Sequence, residues 1–141
     1  VACTADPDGS LPNEMWRGRL ALHYQLHAVA PLVTTAALLD DRKPGLFAAC
    51  DGAIPRIVSF TVAALADPAP VKAITGKTQS VGGSRKPRDF ELAWAAAYLH
   101  FNPDPTLQAR VSRIKVLGNS KLGGDQRLLW PPRAKGKLDA G

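Results

Sequence analysis

Two cysteines, one methionine and three histidines are all the soft or imidazole ligands in these 141 residues. Two cysteines cannot build a disulfide framework, and no C-x-x-C pair or Cys/His cluster offers a metal site. Cys3 and Cys50 therefore read as ordinary free or buried thiols. No apolar run reaches the ~18 residues of a membrane helix, so no membrane partner is expected. A basic start followed by an apolar stretch is also missing, which leaves no visible signal peptide. The chain opens without Met, on VACTADPDGS, as a mature or truncated piece would. Sustained Val/Ile/Thr alternation is absent too, which excludes a strand-built domain.

What is present suits one globular domain: 45% hydrophobic and 21% charged residues over 141 positions. The net charge is +6 and uneven. Arg110 to Lys137 holds eight Lys/Arg against one Asp, and Lys72 to Arg88 holds five with no acid. Such a field concentrates polyanions, whether nucleic acid, acidic polysaccharide or an anionic surface. It equally describes a solvated face that keeps the protein soluble.

The patterning is all-helical. One helix is expected from Pro12 or Asn13 to Leu39, kinked at Pro31, and stopped by Asp40-Asp41-Arg42-Lys43-Pro44-Gly45. Helices follow over about 54–65, where Ile54, Ile57, Val58, Val62 and Leu65 recur at helical spacing, and over 69–74, 90–101 and 106–117. Short connections make consecutive helices antiparallel pairs. Residues 1–130 form the domain, and 131–141, PPRAKGKLDAG, read as a disordered tail.

The polar residues inside the first helix are its most informative feature. Arg17 and Tyr24 stand seven apart, about two turns, so they share a face. A guanidinium offers a fork for a carboxylate, and a phenol can donate or accept a proton. Together they suit elimination next to a uronate carboxylate. His23 and His27 form an i, i+4 pair, but no Glu follows His23, Gln25 and Leu26 intervene, and no third ligand is evident. They read as packed or surface histidines, so no metal is expected.

Gly76-Lys77-Thr78 imitates the end of a P-loop, but the required earlier glycine is Val71 and no strand precedes it. That loop can instead be a mobile basic flap, with Gly82-Gly83 as hinges. Trp94 and Tyr98 read as core, with sugar stacking as the alternative. Gly123-Gly124 suit a tight turn with positive φ.

In order along the chain, DGSLPNEMWRGRLALHYQLHAVAPL, Asp67-Pro68, the TGK-x-Q of Thr75 to Gln79, the FELAW-x-x-x-Y of Phe90 to Tyr98, and the KLGGD-x-x-LLW of Lys121 to Trp130 resemble the polymannuronate (alginate) lyases. The resemblance covers about Val1 to Trp130. It implies the C-terminal part of an incomplete (α/α) toroid, periplasmic location, and β-elimination on a 4-linked uronate polymer. It places the family's catalytic Arg on Arg17 and its catalytic Tyr on Tyr24. Arg19, Lys77, Arg85 and Lys86 would bind neighbouring uronates, with no cofactor. The family's Asn-Asn-His motif and its Lys, on helices preceding the matched segment, have no counterpart here, so about half the site is expected to be absent. Two rivals stay open. One is a non-catalytic polysaccharide-binding or degenerate lyase module. The other is a nucleic-acid-binding helical module, disfavoured because the basic segments lack interleaved aromatics and a helix-turn-helix pattern.

Overall fold

The longest apolar stripe in the chain becomes the centre of the fold. A computed structural model describes residues 1–132, and in it helix α2 (Ala21–Leu38) buries Leu22, Leu26, Val29 and Val33 completely or nearly so. Around it stand α1 (Pro12–Met15), α3 (Ala49–Ala66), α4 (Ala69–Thr75), α5 (Ala95–Phe101), α6 (Pro105–Val111) and α7 (Gln126–Leu129). α3 is the main partner of α2. Gln25, early in α2, bonds Thr61, late in α3, so the two run antiparallel. Trp94, fully buried, leads into α5 and packs in the same core as Tyr98 and Leu107, and its indole donates to the Glu91 carbonyl at 2.9 Å. Trp94 and Tyr98 are thus core, and the sugar-stacking alternative falls.

Local chemistry sets the ends. Pro12 and Pro105 occupy first-turn positions, where a missing amide costs nothing. Asp104 caps α6 by accepting from the Leu107 amide at 3.0 Å. Gly76 closes α4 in the left-handed region, φ 70°.

Four expectations are corrected. The helix expected from Pro12 to Leu39 is broken at Gly18, φ 59°, where a 3-10 turn, Gly18–Leu20, separates α1 from α2. Pro31 remains inside α2, tolerated on its exposed side. The helix expected over 106–117 stops at Val111, because the chain turns into a two-residue hairpin. In that hairpin β1 (Gly118–Asn119) and β2 (Gly124–Asp125) pair antiparallel, Gly118 opposite Asp125. Gly123 and Gly124, φ 95° and 99°, make its turn as anticipated. The FELAW segment begins as a 3-10 turn, Asp89–Leu92, with the α-helix starting only at Ala95.

Finally, Cys3 and Cys50 are joined in a disulfide, not free thiols. The Ala2–Thr4 turn packs on the start of α3 and brings the two Cα atoms to 5.3 Å across 47 residues of sequence. Cys50, Asp51 and Gly52 form a left-handed turn there, with φ of 54°, 56° and 66°. Arg56 holds it, donating to the Cys50 carbonyl at 3.1 Å and to the Asp6 carbonyl at 2.8 Å. The span Ala49–Ala66 is long and apolar enough to be considered for crossing a membrane. Its regular part begins only at Ala53 and is about 21 Å long, short of a ~30 Å hydrocarbon core, and Ile57, Val58 and Leu65 are buried against protein. Except for Pro131 and Pro132, the expected tail lies outside the described residues; the Pro131 carbonyl contacts His100 Nδ1 at 2.8 Å.

Candidate active site

Arg17 lies in the break between α1 and α2, so it does not share a helix with Tyr24. The turn nevertheless carries the guanidinium over the phenol, with Cζ 4.1 Å from the Tyr24 ring centroid. A cation stacked on an aromatic face is attracted by the ring quadrupole. Arg17 Nε also donates to Glu14 Oε2 at 2.8 Å, an i, i+3 pair within the α1 turn. Stack and pair hold the planar fork in place, and its two terminal nitrogens have no protein acceptor assigned among the described residues. Tyr24 is exposed at 36%, so its hydroxyl end is reachable from solvent.

Next to this pair the rings continue along α2. His23 meets Tyr24 edge-on with centroids 5.2 Å apart, and the His23 and His27 rings lie 4.4 Å apart, tilted by 51°. The fold adds a residue that the sequence did not connect with them, Glu91. Its Oε1 lies 3.6 Å from His27 Nε2 and 3.9 Å from His23 Nδ1. Its Oε2 accepts from the Arg88 amide at 2.7 Å. His27 and Glu91 form one lip of a cleft of about 530 Å³, which Pro31, Phe90, Asn119 and Lys121 also line. Pro31 has no amide to donate to the His27 carbonyl, so the helix is locally open beside this cleft.

Of the residues expected to bind neighbouring uronates, Arg19, Lys77 and Arg85 sit around the segment 77–80, and Lys86 stands at a separate cleft. Arg19 is exposed, and its backbone carbonyl makes the contact, accepting from the Ser80 amide at 2.9 Å. Lys77 lies on a different cleft, with Trp16, Gly18 and Ile74. Arg85 spends its guanidinium on the Gln79 carbonyl, 3.0 Å away. Lys86 faces a third cleft, with Asp89, Arg110 and Arg113.

Their loop is not a flap. Gln79 is buried, accepts from the Leu22 amide at 2.9 Å and donates to the Gly18 carbonyl at 2.9 Å. A Cβ on Gly82 would meet the Ala64 carbonyl at 3.0 Å, and the Gly83 amide donates to Leu65. The glycines allow close packing, not hinging. Through Gln79 this strap pins the break that presents Arg17. The TGK-x-Q segment marked Gln79 by resemblance, but a glutamine in a polar loop carries no periodic signal, so its role in fastening the loop was not legible. Glu14 was not anticipated either; its signal in the sequence is the i, i+3 spacing to Arg17.

The chain is similar to known proteins. The family model described as "Alginate lyase" matches residues 2–71, the segment that holds Arg17 and Tyr24. An alginate lyase of Azotobacter chroococcum mcd 1 is 29% identical over 136 residues, covering 96% of this chain and 36% of the relative. A polysaccharide lyase of Stenotrophomonas maltophilia is 33% identical over 122 residues, covering 86% and 35%. The crystal structure of alginate lyase A1-III from Sphingomonas species A1 superposes with a TM-score of 0.75 at 25% identity, over 92% of this chain and 36% of that one. The chain thus spans about a third of the length of the relatives it matches.

Proposed function

We propose, for a chain that belongs to the alginate lyase family, that Arg17 and Tyr24 are its share of a site for β-elimination on a 4-linked polyuronate such as polymannuronate. The observation that carries this reading is the guanidinium held 4.1 Å over the Tyr24 ring, with the phenol exposed. Elimination breaks C5–H, forms the C4=C5 double bond and breaks C4–O4, and O4 leaves with a proton. The carboxylate at C5 gains charge density as the C5 proton departs. The Arg17 fork neutralises that charge, an interaction that strengthens toward the transition state. Tyr24 Oη can accept and donate: as the phenolate it takes the proton from C5 and then passes it to the departing O4, so the phenolate is regenerated and the protons balance. The helix pairs then belong to an (α/α) toroid, for which the superposition on alginate lyase A1-III is support. The Cys3–Cys50 disulfide favours an oxidising compartment, consistent with the periplasm.

The test is the growth of near-ultraviolet absorbance from 4,5-unsaturated uronate when polymannuronate is the substrate. Tyr24→Phe should lower turnover by about 10² to 10⁴ while leaving retention on alginate resin intact. Parent-like turnover in that variant removes Tyr24 from the proton's path. The alternative reading is a non-catalytic binding or degenerate module. Retention on alginate without any unsaturated product would select it. Stronger retention on DNA than on alginate resin at matched salt would select a nucleic-acid module.

A further inference from the structure

His23, His27 and Glu91 offer more than packed rings. We infer that they form a binding site for one first-row divalent transition-metal cation, of the zinc class, at the lip of the cleft beside Tyr24. The sequence provides an i, i+4 histidine pair and no third ligand; the fold supplies it from residue 91.

Geometry is the first support. The three ligand atoms lie within 4.8 Å of one another. Any three points so confined have a centre within about 2.8 Å of each, and small rotations of the imidazoles close that to the 2.0–2.2 Å of zinc–nitrogen and zinc–carboxylate bonds. The His–Glu separations, 3.6 and 3.9 Å, are too long for hydrogen bonds. The two rings thus converge on a single oxygen without closing onto it, at separations close to the roughly 3.3–3.5 Å between ligand atoms around one tetrahedral zinc.

Preorganisation is the second. α2 is anchored here by the buried Leu22, Gln25 and Leu26 on its other side, so the two histidines project from a fixed backbone. The Glu91 side chain is only 12% exposed. Its second oxygen is held by the Arg88 amide at 2.7 Å, and its carbonyl by the buried Trp94 indole at 2.9 Å. This backbone support orients the carboxylate before any ion arrives.

Ligand chemistry selects the class. Two imidazoles and one carboxylate suit zinc, copper or nickel, whereas calcium and magnesium require oxygen-rich cages. Three protein ligands leave a tetrahedral position open, as in sites that exchange ligands. His27 and Glu91 line the cleft of about 530 Å³, so that position is accessible. If the lyase reading holds, a uronate carboxylate could fill it, and only this consequence depends on that reading.

The experiment needs no substrate. The full chain, stripped with chelator, is titrated with Zn²⁺ by calorimetry and with Co²⁺ by visible absorption. One equivalent should bind, and Co²⁺ should develop the intense d–d bands of a four-coordinate site. His23→Ala, His27→Ala and Glu91→Gln should each weaken binding at least tenfold. The half-exposed His27 can be removed without disturbing the core, so its far-ultraviolet circular dichroism should match the parent. His100, which contacts the Pro131 carbonyl elsewhere, is the control: His100→Ala should bind like the parent. No saturable binding, binding unchanged in His27→Ala, or loss in His100→Ala would each overturn the assignment. Glu91→Gln binding like the parent would overturn it as a three-ligand site.

Discussion

The two sides of α2 handle polar groups in opposite ways. On the buried side Gln25, fully enclosed, accepts from the Leu11 amide at 2.9 Å and donates to the Gly9 carbonyl at 3.0 Å and to Thr61 Oγ1 at 3.3 Å. Every polar atom of its amide has a partner. One turn away on the exposed side, His23, Tyr24 and His27 touch through ring faces and edges, and the two histidines stay 3.6 Å and 3.9 Å from the Glu91 carboxylate. Saturated polar groups in the interior stabilise a shape, because leaving them unpaired there is expensive. Polar groups with unused donors or lone pairs, held on a rigid backbone, are available to a ligand. One eighteen-residue helix serves both purposes.

Substitutions should separate the two sides. The largest stability effect is expected from Gln25→Ala. It strips partners from the Leu11 amide and Gly9 carbonyl and opens a cavity, costing about 3–5 kcal/mol, read as a lowered urea midpoint. The matching His27→Ala should stay within about 0.5 kcal/mol of the parent. Equal losses would erase the distinction. Reduction of the Cys3–Cys50 disulfide should lower stability by about 2–4 kcal/mol, since it releases a 47-residue closure. Thermal melts with and without reductant measure it.

A smaller effect belongs to the exposed side. Arg17→Lys keeps the charge and loses the fork, so kcat/KM on polymannuronate should fall about tenfold or more with stability little changed. The smallest is a pH effect on the buried side. Burial, and secondarily the nearby Asp104 charge, push the Tyr98 phenol up to about 12. The unfolded chain loses that proton near 10, so stability is full below about pH 10 and declines as the pH rises toward 12. In a Tyr24→Phe background Tyr98 is the remaining tyrosine of two, and its ultraviolet titration should centre near 12.

Helix positions were legible where apolar periodicity and stop signals coincide. The helix read at 54–65 runs regularly from Ala53 to Ala66, and the one read at 69–74 ends at Thr75. Gly18 misled, because one glycine inside a periodic stretch is usually tolerated, and here it adopts positive φ. The stretch after Val111 misled for a related reason: Ile114, Val116 and Leu117 continue an apolar pattern, but the chain there is irregular, with Leu117 buried and Val116 exposed. Arg17 and Tyr24 do meet, though the expected reason, one shared helical face, was not the operative one.

The sequence by itself determined the helical class, the core stripe of α2 and the family resemblance. All of these depend on local spacing or on the order of motifs. Tertiary structure decided what depends on residues far apart in the chain. It joined Cys3 to Cys50, turned the basic loop into a strap fastened by Gln79, and with that strap held the break that sets Arg17 over Tyr24. It also set Glu91 beside His23 and His27. Periodicity reports which side of an element faces inward; it carries no information about which distant side chain waits there. That is settled only when the buried faces pack and bring their exposed neighbours along.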